Sequence, residues 1–243
     1  MLAIFRKEIQ SFFTSPIGYL IVGLFLLLNG LFLWVFKGDF NILDNGFADL
    51  SSFFLLAPWV FLFLIPAITM RSFSEETKMG TLELLYIKPL SLWSIVLGKF
   101  WGALALCVIA VIPTIIYVFC ISALGITAGN FDLGVVLGSY FGLLFLMATY
   151  VAIGLLASVL NENQIVAFII GIVLCFLLFY GFEALSTLFN DGATRELLSR
   201  CGAKAHFESI ARGIIDTRDI VYFVSVTFFF LFLTHLRAKN LSK

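Results

Sequence analysis

Six long stretches of the chain contain no Asp, Glu, Lys or Arg, and each of them is mostly apolar. They cover residues 9–36, 50–70, 100–131, 133–161, 163–182 and 220–236. A helix needs about 20 mostly apolar residues to cross the hydrocarbon core of a bilayer. A helix in a soluble protein usually keeps one polar face. The pattern therefore predicts six transmembrane helices, at 17–36, 51–70, 100–122, 134–157, 164–183 and 220–236.

The first 15 residues are predicted to form a short amphipathic helix. Leu2, Phe5, Ile9 and Phe12 recur at helical spacing, and the charged residues fall on other faces. A helix of this kind typically lies in the membrane interface. Ser15–Pro16 is expected to separate it from the first span.

Composition narrows the fold class. Apolar residues make up 61% of the chain and charged residues 12%, against about 45–50% and 25% in an average soluble domain. These values exclude a disordered chain and an ordinary soluble enzyme, and a net charge of zero leaves no basic surplus for nucleic acid. Solid apolar blocks such as Phe228–Phe232 differ from the alternating strands of a membrane barrel. We expect an all-α integral membrane protein, with residues 1–243 as one transmembrane domain.

The basic residues indicate an orientation. If the N-terminus is cytoplasmic, nine of the 15 Lys and Arg residues fall on the cytoplasmic side. Five of the other six lie in a single long outer loop, at 184–219. Short cytoplasmic segments are enriched in Lys and Arg. The bias therefore predicts that both termini are cytoplasmic.

The chain offers little reactive chemistry of its own. His206 and His235 are its two histidines, and the HFESI segment does not match the HExxH spacing of zinc proteases. The sequence also lacks a G-x-x-x-x-G-K-[ST] phosphate loop and a CxxC pair. No charged residue interrupts the six spans, whereas ion-coupled carriers usually place some there. We expect no catalytic residue, metal or cofactor on this chain, and a partner that supplies the energy.

The loop at 71–99 between the second and third spans is the most charged cytoplasmic segment. Ser74, followed by two glutamates, predicts a helix start. Met79–Gly80 predicts a turn, and Ser91 is suited to cap the next helix. We expect a structured protrusion that docks into a cleft of a partner. The alternative is a solvated connector held at the membrane interface.

Residues of this loop resemble a known family. The pattern R-x-F-x-x-E-x-x-x-G-T-L-E-L-L begins at Arg71 and is followed by Pro89 and Gly98–Lys99. It resembles the permease signature of ABC-2-type transporters, and the likeness extends over the whole chain. A second block, HFESIARGIIDTRDIVYF at 206–223, is similar to permeases of the gliding-motility and copper-enzyme-maturation branches. The sequence as a whole most resembles that of the gliding-motility-associated permease subunit.

The resemblance implies a permease in the bacterial inner membrane, without an ATPase site of its own. Its partners would be an ABC ATPase subunit carrying ATP and Mg, membrane lipid, and a second permease, an auxiliary membrane subunit or a second copy. The substrate path would be lined by the second and fifth spans. The implied ATPase-coupling residues are Arg71, Glu75, Glu76, Lys78, Gly80, Thr81, Glu83, Asn161, Glu162 and Asn163. The candidates for an outer gate are Glu183, His206, Phe207, Glu208, Arg212, Gly213 and Asp216.

Three other readings stay open at this point. A permease for copper-enzyme maturation would need metal ligands in the outer loop, where Cys201 and His206 are available. A membrane anchor that transports nothing would need no coupling loop. An intramembrane enzyme would need facing polar groups within the bundle, and the serines and threonines of the spans do not form an evident set.

Overall fold

The computed structural model describes residues 1–44, 46, 49–81, 91–125, 131–214 and 216–241. These residues form nine helices and no strand. The helices are α1 (Leu2–Thr14), α2 (Pro16–Gly30, continued by a π-helical turn at Leu31–Val35), α3 (Ser51–Lys78), α4 (Leu92–Leu124), α5 (Leu133–Leu160), α6 (Gln164–Ser186), α7 (Gly192–Cys201), α8 (Ala203–Ala211) and α9 (Thr217–Leu241).

Six of these helices, α2 to α6 and α9, are long and apolar enough to cross a membrane. The all-helical fold class and the number of spans predicted from the sequence are thereby confirmed. Four helices, α3, α4, α6 and α9, extend further than their apolar runs. α3 continues through the charged residues to Lys78, and α4 already begins at Leu92, where Ser91 Oγ accepts a hydrogen bond from Ser94 N at 3.3 Å.

Helix α5 lies at the centre of the bundle. Of its most apolar window, 78% of the residues are buried, against 28% for α2 and α6 and 22% for α9. Four of the other spans, α3, α4, α6 and α9, pack against α5, as does α8, whereas α2 packs chiefly on α3. The outer spans therefore present wide apolar faces, as helices that contact lipid do.

Small residues let α5 and its neighbours approach closely. A Cβ atom added to Gly154 of α5 would lie 2.0 Å from Thr69 Oγ1 of α3. A Cβ atom on Gly171 of α6 would lie 3.0 Å from Pro66 Cβ. Close backbone approach at small residues is typical of packing between membrane helices. These contacts fix α3 between α5 and α6.

The two ends of the bundle differ. Trp93 at the start of α4 stacks on His235 near the end of α9, with ring centroids 4.5 Å apart, and α1 packs on the start of α4. We call this end, which carries α1 and the last turns of α9, the terminal end. The opposite end, covered by α7 and α8, is the distal end.

Helices α7 and α8 form a cap on the distal end. The outer loop expected at 184–219 thus contains two helices. Ile210 of α8 is fully buried, and a Cβ atom on Gly142 of α5 would lie 3.1 Å from its Cγ2. Ser139 Oγ of α5 donates a hydrogen bond to the carbonyl oxygen of Ala211 at 3.0 Å. The cap is therefore seated on α5 by both apolar packing and a hydrogen bond.

Candidate functional site

The segment Arg71–Lys78, at the terminal end of α3, carries the first half of the sequence motif. The prediction that Ser74 starts a helix was wrong, because Ser74 lies inside this segment and its hydroxyl donates to the Met70 carbonyl. The predicted turn at Met79–Gly80 is confirmed. Gly80 has φ +65°, a left-handed conformation that favours glycine after a helix. The protrusion thus continues the second span directly.

Ser158 of α5 fastens this segment to the centre of the bundle. The first N–H groups of a helical segment lack partners within it. Here the main-chain N–H groups of Phe73 and Ser74 donate to Ser158 Oγ, at 2.8 and 3.1 Å. The same hydroxyl donates to the Met70 carbonyl at 3.1 Å. One side chain on α5 therefore caps the segment from outside.

A buried lysine lies at the centre of the terminal end. Lys99 of α4 is only 1% exposed, and its Nζ lies 2.8 Å from Glu8 Oε1 and 2.9 Å from Glu76 Oε2. It also donates to the Ser72 carbonyl oxygen at 2.5 Å. Lys7 Nζ of α1 reaches the other oxygen of Glu76 at 2.6 Å. Lys7, Glu8, Glu76 and Lys99 form a chain of ion pairs that we call the Lys99 network.

The backbone of α4 makes this approach possible. Gly98 and Gly102 lie four residues apart and so share one face of the helix. A Cβ atom on Gly98 would lie 2.9 Å from Ile4 Cβ, and one on Gly102 would lie 2.8 Å from Glu8 Cβ. Helix α1 therefore rests in a groove formed by the two glycines. This groove places Glu8 next to Lys99.

The Lys99 network has no net formal charge, because it contains two lysines and two glutamates. Burying an ammonium group costs several kcal/mol unless close partners and hydrogen bonds offset that cost. Lys99 has two carboxylates and one carbonyl as partners. For Lys7, burial acts to lower the pKa, but the hydrogen bond and charge of Glu76 outweigh it and the pKa is raised. Lys7 therefore stays cationic at neutral pH.

A cavity of about 330 Å³ lies beside the network, between α1, α2, α3 and α4. Ser11, Ser15, Arg71 and Glu75 contribute to its polar lining. Arg71 Nε is buried and has no hydrogen-bond partner among the residues that the structure describes. Arg71, the first residue of the sequence motif, thus faces an internal space.

The remaining coupling candidates lie in two places, in the segment that follows Arg71 and in the loop between α5 and α6. Glu75 and Thr81 are half-buried, and Lys78 and Gly80 are exposed. Glu83 lies outside the described residues. Between α5 and α6, at the same end of the bundle, Asn161, Glu162 and Asn163 are exposed. In that loop Asn163 Oδ1 accepts from Ile165 N at 2.9 Å and so caps α6. Both predicted contact loops therefore lie at the terminal end.

Sequence reasoning missed part of this site. Lys7 and Glu8 were expected on the polar faces of an interfacial helix, and Lys99 was expected where the helix after Ser91 enters the third span. Ser158 was considered only as a span residue. One signal was available, since the pair Gly98 and Gly102 is the small-xxx-small spacing of close helix contacts. It could have placed a helix against α4 but could not have named α1.

The gate candidates lie at the distal end. Glu183 of α6 pairs with Lys204 at 2.6 Å, and Glu208 lies 3.6 Å from the same ammonium. Phe207 of α8 is buried, and Arg212 is exposed. Gly213 has φ +82° and follows the end of α8. Asp216 directly precedes α9, and its Oδ1 accepts a hydrogen bond from Arg218 N at 2.9 Å.

His206 has a different environment from the other candidates. It contacts Asp219, the Arg200 carbonyl and the Tyr222 ring. Over the described part of the chain, no group of three or more His, Cys, Asp or Glu residues is placed to hold a metal ion.

Comparison with known proteins gives one family. The family model described as "ABC-2 family transporter protein" matches residues 2–207. The match includes α1 to α7, most of α8 and every residue of the Lys99 network. No curated protein matches the chain.

Proposed function

Because the chain belongs to the ABC-2 family of transporter proteins, whose members are the membrane-spanning subunits that pair with an ABC ATPase, we propose how the ATPase acts on it. The ATPase binds the terminal end, and its movement enters the bundle through Arg71–Thr81. The terminal end faces the cytoplasm of a bacterium, so the spans cross the inner membrane. The chain then serves export or assembly across that membrane.

The Lys99 network is the observation that carries this proposal. It joins α1, the end of α3 and the start of α4 through ion pairs of 2.6–2.9 Å. Ser158 adds α5, the central helix, through hydrogen bonds to the same end of α3. A displacement of Arg71–Lys78 would therefore be passed to three other helices. A loop that merely connects two spans needs none of these contacts.

The network assigns different roles to the coupling candidates. Glu76 is buried and both its oxygens face lysines, so it holds the helices together rather than touching the ATPase. Lys78, Gly80 and the Asn161–Asn163 loop are exposed at the same end. They supply the surface that the ATPase contacts.

The gliding-motility branch is the finer assignment that we propose, as a subunit of the GldF type. The resemblance of residues 206–223 to that branch supports it. The partners would then be a dedicated ATPase and either an auxiliary membrane subunit or a second copy of this chain. No observation favours copper-enzyme maturation, because His206 is engaged with Asp219 and the Arg200 carbonyl. No observation favours a membrane anchor that transports nothing.

Affinity purification from the native membrane tests the proposal. The tagged chain is purified in mild detergent, and co-eluting proteins are identified by mass spectrometry and assayed for ATP hydrolysis. We expect an ABC ATPase subunit in the eluate. Charge reversal at the exposed contacts, with Lys78→Glu combined with Glu162→Lys, should lower its recovery while leaving the chain folded.

The matched control is Arg195→Glu, an exposed charge reversal in the distal cap. It should leave recovery of the ATPase unchanged. Equal loss of the ATPase with the control and the double variant would show that the terminal end is not the contact surface. Absence of any ATPase across several detergents would contradict the coupling mechanism as a whole.

A further inference from the structure

Two cavities meet at Ile21 of α2 and Ala67 of α3, which line both of them. The first is the cavity of about 330 Å³ beside the Lys99 network, which we call the chamber. The second, which we call the groove, measures about 380 Å³ and lies between α2, α3 and α6, where only aliphatic and aromatic side chains line it. A polar space at the end of the bundle therefore adjoins an apolar space along the spans.

The groove runs from the terminal end toward the middle of the spans. On α3 it extends from Ala67 to Trp59, eight residues apart, which is about 12 Å along a helix axis. Leu24 and Phe63, which line it, are 48% and 57% exposed. The groove is therefore open on one side to the hydrocarbon of the membrane, and its shape suits a hydrocarbon chain.

Arg71 and Glu75 supply the charges of the chamber. The other charged side chains that line it, Lys7, Glu8 and Glu76, belong to the Lys99 network and are neutralised within it. Arg71 and Glu75 lie four residues apart and so share one face of the helix. Neither forms an ion pair with a residue that the structure describes. The chamber therefore presents one cation and one anion to its occupant.

These groups fit a headgroup that contains a phosphate and an ammonium. A guanidinium can donate two parallel hydrogen bonds to a phosphate. Arg71 Nε is buried and lacks an acceptor among the described residues, and a phosphate in the chamber would provide one. The carboxylate of Glu75 can accept hydrogen bonds from an ammonium. Ser11 of α1 adds a hydroxyl group to the same chamber.

We propose that the chamber and the groove together bind one aminophospholipid, with its phosphate at Arg71, its ammonium at Glu75 and one acyl chain in the groove. An anionic lipid without an amine would place its negative headgroup beside Glu75. A quaternary ammonium has no N–H donor for that carboxylate. A second copy of the chain in the groove would leave Arg71 Nε without an acceptor. The site requires only that the chain lies in a membrane, and it is independent of the ATPase contact.

Native mass spectrometry of the full-length chain in detergent tests the site. The delipidated chain is mixed with equal amounts of phosphatidylethanolamine, phosphatidylglycerol and phosphatidylcholine, and the bound lipids are identified by mass. We expect one phosphatidylethanolamine per chain, retained about tenfold better than either of the other lipids, because only its ammonium bonds to Glu75. Glycerophosphoethanolamine, which has the headgroup but no acyl chain, should not displace it.

Variants separate the headgroup contacts from the groove. Arg71→Gln should weaken retention of phosphatidylethanolamine about tenfold or more, because a hydrogen bond between charged groups is lost. Glu75→Gln should abolish the preference over phosphatidylglycerol, because the chamber then carries a net positive charge. Ala67→Phe should block the groove and lower retention with both charges in place. The matched control is Arg6→Gln, an exposed arginine of α1 outside the chamber, which should bind lipid as the wild type does.

Three results would overturn the proposal. The first is equal retention of the three lipids, or displacement by glycerophosphoethanolamine. The second is an unchanged lipid preference in Glu75→Gln, which decides the matter even if Arg71→Gln fails to fold. The third is a chain that retains no lipid and elutes as a dimer, but becomes monomeric with Ala67→Phe. That result would assign the groove to a second copy of the chain.

Discussion

Replacing Lys99 by Met tests whether the network at the terminal end is buried and tightly paired. Met occupies a similar volume but has no charge, so Glu8 and Glu76 lose their shared cation. Removing one partner of a buried ion pair costs about 3–5 kcal/mol, because the other charge stays buried. For a chain of this size, roughly 2–4 °C of melting temperature corresponds to 1 kcal/mol. We therefore expect Lys99→Met to lower the melting temperature by roughly 6–20 °C.

The chain carries its own reporters for this measurement. Cys107 and Cys175 are fully buried, so a thiol-reactive dye labels them as the bundle unfolds. Cys201 is exposed and is replaced by Ser in every sample to lower the background. The melting temperature is read from the rise in dye fluorescence in detergent.

The distal cap provides a matched control. Lys204 also lies between two carboxylates, but it is 23% exposed, and exposed pairs contribute about 0–1 kcal/mol. Lys204→Met should therefore lower the melting temperature by less than about 4 °C. Neutralising the carboxylates as well, with Glu8→Gln and Glu76→Gln added to Lys99→Met, should restore much of the loss. A shift for Lys99→Met no larger than that of Lys204→Met would refute the reasoning.

Three further predictions use the same assay. Gly154→Ala should destabilise the bundle by about 1–3 kcal/mol, because the added Cβ would lie 2.0 Å from Thr69 Oγ1. Gly23→Ala, whose Cβ would have nothing within 4 Å, should be neutral. Equal effects of the two substitutions would contradict the close packing at Gly154. Ser158→Ala should cost about 1–3 kcal/mol, since main-chain N–H groups lose their acceptor, and an unchanged melting temperature would show that they have another. Burial acts to lower the pKa of Lys204, but the hydrogen bond and charge of Glu183 and the charge of Glu208 outweigh it and raise the pKa above its usual value of 10.5. Its contribution to stability should therefore be constant from about pH 6 to 9 and decline only above about pH 10.5, and a decline near neutral pH would argue against the pairing.

The spans could be predicted because the hydrocarbon core of a membrane requires long apolar helices. Each segment that crosses it is therefore apolar along its whole length. The end of a helix could be predicted where a side chain caps it locally, as at Ser91. The start predicted at Ser74 failed because the preceding span continues past Met70 and its hydrogen bonds are completed by Ser158, which is 84 residues away.

The candidate site was harder to predict than the fold. The motif resemblance located the segment at 71–81. It implied, however, that the charged side chains of this segment lie on the protein surface. Whether Glu76 faces solvent or a lysine depends on α1 and α4, which are distant in sequence. The pairing of Lys99 with Glu8 spans 91 residues, and local charge patterns carry no information about it. The same limit applies to Asp219, whose role as partner of His206 follows only from the position of the cap.

The hydroxyl of Ser158 has a mechanical consequence. The end of α3, Arg71–Lys78, extends beyond the apolar span, and a helix end without outside contacts could twist on its own. Because one side chain on α5 bonds to Met70 and to two residues of this end, a torque on Arg71–Lys78 cannot be relieved by twisting there without breaking those bonds. The strain would instead reach α5, the helix that touches most of the others, so a small turn at one end of the bundle would be felt along its whole length.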